Sequence, residues 1–249
     1  MTGMILWKSP AAGKWEKRTA LAERSVLHMR FACAEVARGP RTPAAVLRRR
    51  VASAAKKLRR AGVVQAVLPP DFAFTAELER HGVRPVSTLP LRRSLAAQTV
   101  GWHLERLGLG AGARVAVAGE QLTGELARTV TELCRRCRYV LLDLPYGGEE
   151  LSRQLRREYG VSLLLGPARE QLEGAEVLVL FGERRDLSRK NPVVLELYEG
   201  SGEELPPLVL PPALEEKLPA GCDRAQLLSA LRQAGALRPG QISLGTSKG

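Results

Sequence analysis

The residues whose types and spacing are most suggestive of a binding site lie in the segment RVAVAGEQLTGELARTV. Gly119 and Gly124 have the spacing of the first and third glycines in a G-x-G-x-x-G phosphate-binding turn. In such a turn the first glycine permits the tight bend, and the third permits close packing of helix on strand. The second lets the backbone approach a pyrophosphate, and here Gln121 replaces it. The segment therefore predicts the turn but weakens the case for bound phosphates.

A carboxylate follows at the distance that a nucleotide site requires. Asp143 ends the next apolar run, 24 residues after Gly119. An acid in this place accepts hydrogen bonds from an adenosine ribose, and its charge repels a 2′-phosphate, which favours NAD over NADP. The alternative is that Asp143 simply ends a strand before Pro145.

Two arginines follow the apolar run VLVLF, in the loop that begins at Gly182. Open parallel sheets bind ligands beyond the carboxyl ends of their strands, so Arg184 and Arg185 are placed to meet an anionic small molecule. The alternative is a solvated charged loop.

The cysteines and histidines predict no further site. Cys134 and Cys137 form a CxxC pair, but no second pair follows to complete a zinc site. The pair falls at the end of a predicted helix, where the helix dipole opposes thiolate formation. We therefore interpret both as cysteines packed against a sheet, and no metal is predicted.

The elements that must position these residues alternate along the chain. Short apolar runs and helical segments follow one another from Val63 to Phe181. This alternation is typical of parallel βαβ units, and continuous apolar strands such as VLVLF indicate burial on both faces. The expected fold class is α/β, a doubly wound and mostly parallel sheet with a basic N-terminal α/β subdomain.

Residues 114–181 resemble the Rossmann NAD(P)-binding domain of the shikimate dehydrogenase and glutamyl-tRNA reductase type. The resemblance covers about a quarter of the chain, and the segments that carry it are VAVAGEQLTGELA and LEGAEVLVLFGE. Asp143-Leu144-Pro145 replaces that family's NADP-reading Asn-Arg-Ser/Thr pattern, and residues 1–110 contain no counterpart of its catalytic Lys and Asp. The resemblance implies a cofactor site, with NAD as the expected cofactor, lined by Gly119, Gln121, Leu122, Thr123, Gly124, Asp143, Phe181 and Gly182.

The positive charge is segregated along the chain. Residues 1–100 contain 19 basic and 6 acidic side chains, a net charge of +13, whereas the whole chain has a net charge of +12. The excess of positive charge therefore lies in the N-terminal part. We expect three regions: a basic N-terminal α/β region over 1–110, a Rossmann-like domain over 111–200, and a proline-rich crossing segment with a C-terminal helix over 201–249. The N-terminal segment is harder to interpret: MILW and SVLHMRFACAEV each indicate a strand, and residues 8–24 look irregular.

Three functions are compatible with these patterns. The first is a nucleotide-binding protein that acts on an anionic small molecule. The second is a non-catalytic interaction protein with a degenerate cofactor site, and the third is nucleic-acid binding through the basic helix face of residues 48–60. No apolar run reaches the roughly 18–20 residues of a membrane span, and the first residues do not resemble a signal peptide, so we expect a cytoplasmic protein. The oligomeric state stays open.

Overall fold

A computed structural model describes residues 1–9, 19–202 and 205–245. The chain forms two compact units. Unit 1 comprises Met1–Thr88 and Leu210–Ile242, and unit 2 comprises Leu89–Val209 with the described residues from Ser243 onward. Elements are numbered along the whole chain. None of the described helices is long and apolar enough to cross a bilayer.

Unit 1 contains a five-stranded sheet in the order β2-β3-β1-β4-β5, in which only β2 runs antiparallel to its neighbour. The strands are β1 (Thr2–Lys8), β2 (Thr19–Val26), β3 (Met29–Ala37), β4 (Gln65–Val67) and β5 (Arg84–Pro85). The helices are α1 (Ala44–Arg60), α2 (Thr75–Glu79), α7 (Pro212–Glu215) and α8 (Arg224–Gln233), with a 3₁₀ turn at Pro239–Gln241.

The β2–β3 hairpin differs from the expectation for this region. Leu27 and His28 adopt positive φ angles of 48° and 69°, which makes them a two-residue hairpin turn inside the predicted single strand SVLHMRFACAEV. Thr19–Val26 is a regular strand within the segment expected to be irregular. Lys8 ends β1, and residues 10–18 of that segment lie outside the described residues.

The helices of unit 1 follow the periodicity of the sequence. Helix α1 buries the five residues at helical spacing that predict its inner face, which are Leu47, Val51, Ala54, Ala55 and Leu58. Helix α8 is capped by Asp223, whose Oδ1 accepts a hydrogen bond from the Gln226 N–H at 2.8 Å. Leu68, just after β4, bonds both residues: its N–H donates to Gln226 Oε1 and its carbonyl accepts from the Asp223 N–H.

Unit 2 contains a fully parallel five-stranded sheet in the order β10-β9-β6-β7-β8. Its strands are β6 (Arg114–Ala118), β7 (Tyr139–Asp143), β8 (Leu164–Leu165), β9 (Val177–Leu180) and β10 (Val193–Glu196). Its helices are α3 (Leu89–Arg106), α4 (Gly124–Cys134), α5 (Gly148–Tyr159) and α6 (Arg169–Glu173), and β11 (Leu208–Val209) pairs antiparallel with β12 (Ser243–Leu244).

The strand order assigns the fold of unit 2. Numbered from β6, the five strands lie in the order 5-4-1-2-3, which is the arrangement of a Rossmann sheet. Both faces are covered: Val115 and Val117 pack into one core cluster, and Ala116 and Ala118 pack into another. All four residues of β9 are completely buried. The expected α/β Rossmann-like fold is therefore confirmed.

The compact units group two segments differently from the division expected at residues 110 and 200. Helix α3 groups with unit 2, because Ala96, Ala97 and Val100 share a core cluster with β6 and α4. The C-terminal helix α8 groups with unit 1.

Candidate functional site

The first glycine of the turn is held in a crowded place. A Cβ on Gly119 would lie 2.7 Å from Cδ1 of Leu126 and 3.3 Å from Cδ2 of Leu144. The Gly119 N–H also donates a hydrogen bond to the Asp143 carbonyl at 3.1 Å, which ties the turn to the end of β7. Only glycine fits here without displacing its neighbours, as expected for the first glycine of the turn.

The third glycine does not have the role that the spacing predicts. A Cβ on Gly124 would meet no atom within 4 Å, so Gly124 does not mediate close packing of helix on strand. Gly124 is instead the first residue of α4. The helix is capped by Thr123, whose Oγ1 accepts a hydrogen bond from the Leu126 N–H at 3.2 Å. The Thr123 side chain therefore already has a structural partner.

Two of the three residues between these glycines that the resemblance places along the cofactor are exposed. Gln121 and Leu122 both lie at the surface of the β6–α4 turn. The Leu122 side chain contacts the loop after β7, since a Cβ on Gly147 would lie 3.1 Å from its Cβ. The turn thus contacts the loop that follows Asp143.

Asp143 and Arg184, predicted as parts of two different sites, bind each other. The Arg184 Nη1 donates a hydrogen bond to Asp143 Oδ2. Its Nε and Nη2 donate to the two carboxylate oxygens of Asp186 at 2.8 Å each. The hydrogen bonds to Asp186 and Asp143 raise the pKa of Arg184 further above its usual range, and the same contact lowers the pKa of Asp186 to about 2. Arg184 is therefore a fixed cation between two carboxylates.

The position of this ion pair follows from the strand order. Arg184 comes after β9, Asp143 ends β7, and β6 lies between those two strands. The ion pair therefore joins the loop after β9 to the carboxyl end of β7, the two strands that flank β6. In a Rossmann sheet the strand order reverses here, and ligands bind in the crevice at that reversal. Only 24% of the Arg184 side chain and 27% of the Asp143 side chain are exposed.

The second predicted anion-binding residue, Arg185, also has a carboxylate partner. Its Nε donates to Glu183 Oε1 at 2.9 Å, and its side chain is 84% exposed. This hydrogen bond lowers the pKa of Glu183. The structure thus pairs both arginines with carboxylates of their own loop.

Phe181 and Gly182 follow β9 beside the turn, where two unpredicted side chains meet them. A Cβ on Gly182 would lie 3.0 Å from Cγ of Glu120, so the Glu120 side chain covers the glycine. Arg93 of α3 lies over the Phe181 ring, 5.8 Å from its centroid, and its Nε donates to the Leu197 carbonyl at 2.8 Å. No local pattern marks Arg93, because it lies 88 residues before Phe181 and only the fold brings the two together.

Further contacts fix the loop that follows β9. Arg189, which has a positive φ of 53°, forms an ion pair with Glu196. The buried Asn191 donates through Nδ2 to the carbonyls of Leu172 and Ala175 at 2.8 Å each, and to that of Glu173 at 3.3 Å. The segment carrying Arg184 is therefore anchored to α6 and β10.

The CxxC cysteines are buried, as expected for packing residues. Burial raises the pKa of the Cys134 thiol to about 11 and also raises that of Cys137. Neither thiol has the thiolate character of a redox pair. Among residues 1–9, 19–202 and 205–245, no three His, Cys, Asp or Glu side chains are grouped to hold a metal ion.

No protein-family model matches the chain, and no curated protein matches it. Solved structures with a partly similar fold include D-lactate dehydrogenase with NAD⁺ from Lactobacillus jensenii, which is 11% identical, covers 61% of this chain and 56% of its own, and has a TM-score of 0.27. Shikimate 5-dehydrogenase from Listeria monocytogenes is 7% identical over 61% of this chain and 59% of its own, with a TM-score of 0.25.

A third similar structure is glutamate dehydrogenase from Thermus thermophilus. It is 17% identical over 84% of this chain and 62% of its own, with a TM-score of 0.34. This chain spans less than two thirds of the length of each of these three proteins. At such TM-scores the strand order, and not the likeness, assigns the fold.

Proposed function

We propose that this protein is a non-catalytic interaction protein whose Rossmann-like unit has its cofactor edge closed by Arg184. The observation that carries this proposal is the ion pair of Arg184 and Asp143, which joins the loop after β9 to the end of β7. A bound dinucleotide needs the Asp143 carboxylate for its ribose and the space above the β6–α4 turn for its pyrophosphate. Arg184 already engages that carboxylate, so a ribose bound there would have to displace it.

The charge at this edge also disfavours a dinucleotide. Four carboxylates lie at this edge, those of Glu120, Asp143, Glu183 and Asp186, and the loop arginines beside them are already engaged: Arg184 and Arg185 with three of these carboxylates and Arg189 with Glu196. A pyrophosphate placed among them would have to compete with carboxylates for these arginines. The replacement of the second glycine by Gln121 acts in the same direction.

A thermal-shift titration with NAD, NADP and ADP-ribose tests the proposal. We expect no change in melting temperature up to millimolar ligand, whereas a ligand at 100 times its Kd would add about 2.7 kcal/mol of stability. A dinucleotide-binding dehydrogenase measured in parallel is the positive control that shows the ligands bind under these conditions. A saturable rise in the melting temperature of this protein would overturn the proposal.

A second candidate function is nucleic-acid binding by unit 1. Helix α1 contains seven basic and no acidic side chains. Five of the basic ones are exposed; Arg48 pairs with Glu77, and within the part of the chain that the structure describes the other four have no hydrogen bond or ion pair: Arg49, Lys56, Arg59 and Arg60. Unpaired cations on one helix face suit the phosphates of a nucleic-acid backbone.

A mobility-shift assay with duplex DNA and RNA tests this candidate. Binding through phosphates weakens steeply with salt. The double variant Arg49→Gln with Arg60→Gln should lower the slope of log affinity against log salt concentration by the equivalent of about two phosphate contacts. Arg153→Gln, an exposed arginine on α5 of unit 2, is the matched control. A shift that is absent or independent of salt would exclude this function.

A further inference from the structure

A concave site lies at the amino ends of the strands of the Rossmann-like sheet, opposite the cofactor edge. It is a pocket of about 160 Å³ beside the amino ends of β6, β7 and β8. Arg114, Tyr139 and Leu164, which line it, are the first residues of these three strands. Nothing in the resemblance to cofactor-binding domains assigns a ligand to this edge, because such domains bind at the carboxyl ends.

The floor of the pocket is apolar and incompletely covered. Tyr139 is 48% exposed and Leu164 is 45% exposed, which is high for large side chains at the ends of buried strands. Leu141 beside them is buried. The helix on this side, α6, has only five residues and leaves these strand ends open. A cavity of about 150 Å³ holds one benzene-sized molecule, so the pocket accepts one small aromatic or branched aliphatic body.

The polar groups around the floor present hydrogen-bond donors. Arg138 lies over the Tyr139 ring at 5.5 Å and has no carboxylate partner among the described residues. Gln171 uses its Oε1 to accept from the Ala168 N–H at 2.8 Å, which leaves its Nε2 hydrogens for a ligand. The Ser162 hydroxyl and the Arg114 guanidinium, which also contacts Glu176 at 3.4 Å, complete the rim.

We propose that this pocket binds a small monocarboxylic acid whose body is aromatic or branched. The apolar floor takes the body, and Arg138 and the Gln171 amide receive the carboxylate. Arginine matches a carboxylate with paired, charge-assisted N–H donors, which a neutral ligand of the same shape would not use. This site is independent of the closed cofactor edge.

Benzoate is the probe, and its binding is followed by the amide shifts of ¹⁵N-labelled protein. We expect saturable shifts in residues around the starts of β7 and β8 and in α6. Two partial ligands separate the contributions: benzyl alcohol keeps the ring without the charge, and acetate keeps the charge without the ring. Each should bind at least about tenfold more weakly than benzoate, because each lacks one of the two interactions.

A pair of variants tests the role of the charge. Arg138→Gln should weaken the binding of benzoate about tenfold, since one charged hydrogen bond is lost, and leave the binding of benzyl alcohol unchanged. Arg153→Gln removes an exposed arginine from α5 and should change neither. Matching spectra of the free variants show that both are folded. The proposal is overturned if benzoate causes no saturable shifts at millimolar concentration, if the shifts lie elsewhere, or if the two variants weaken it equally.

Discussion

Two glycines with the same apparent role in the sequence have different roles in the structure. Gly119 sits against the side chains of Leu126, Leu144 and Phe181, whereas the space beside Gly124 is open. The spacing of the two residues predicts the turn correctly. It does not distinguish a glycine that the packing requires from one that only begins a helix.

Alanine substitutions should separate the two glycines. Gly119→Ala would place its Cβ 2.7 Å from a buried methyl group, and we expect a loss of about 1–3 kcal/mol in the free energy of unfolding. Gly124→Ala should leave stability unchanged or raise it by up to about 1 kcal/mol, since alanine favours the helix. Urea denaturation of both variants provides the measurement. Equal effects at the two positions would contradict the assigned roles.

The exposure of the four cysteines predicts the order in which they react. Burial raises the pKa of all four thiols, to about 11 for Cys33 and Cys134, so little thiolate exists at neutral pH. Cys33, Cys134 and Cys137 are buried, whereas Cys222 is only partly buried and should react first with a thiol reagent. Counting labelled cysteines over time checks this order, with urea-unfolded protein as the control. Rapid labelling of Cys134 in the folded protein would contradict it.

The same pKa values predict alkaline sensitivity. A thiol with a raised pKa stabilises the folded state fully below its ordinary pKa of 9.0, and loses this contribution as the pH rises through about 11. We expect the midpoint of urea unfolding to fall over this range. The Cys134→Ala variant should lose less stability than the parent over this pH range. An equal loss would show that other groups are responsible.

At the scale of the elements, the position of the loop after β9 determines whether the Asp143 carboxylate is paired. It carries Arg184, and Asn191 fixes it by donating to three carbonyls near the end of α6. Arg189 fixes it a second time through Glu196. The Arg184 contact therefore belongs to an anchored loop.

Removing the Asn191 amide should loosen this loop. We expect Asn191→Ala to lower the free energy of unfolding by about 2–3 kcal/mol, because buried carbonyls lose their donor. Lys190→Ala, at an exposed neighbouring position, should have little effect. Hydrogen exchange of the amides in residues 183–192 should become faster only in the first variant. Unchanged exchange there would show that Asn191 does not anchor the loop.

The elements themselves were largely predictable from the sequence. Apolar runs and helical spacing locate α1, α8 and the strands of unit 2, because burial imposes these patterns on the local sequence. The site was less predictable. Asp143 and Arg184 were identified separately, but their pairing depends on the order of strands in the sheet, and Glu120 and Arg93 reach the site from positions that carry no motif.

At the scale of the whole molecule, the charge separates between the two units. The sequence of unit 1 contains 21 basic and 9 acidic residues, which equals the net charge of +12 of the entire chain. Unit 2 is close to neutral, with its loop arginines paired to carboxylates. Attraction to an anionic partner is therefore expected from unit 1, and the Rossmann-like unit contributes little to it.

The proposed function requires that Arg184 closes the cofactor edge by engaging Asp143. Isothermal titration of ADP-ribose into the parent protein and into Asp143→Asn tests it most directly, because this ligand presents both the ribose and the pyrophosphate. We predict no saturable heat with either protein. Saturable binding to the parent that Asp143→Asn abolishes would show that Asp143 is available to a ribose, and would contradict a closed edge.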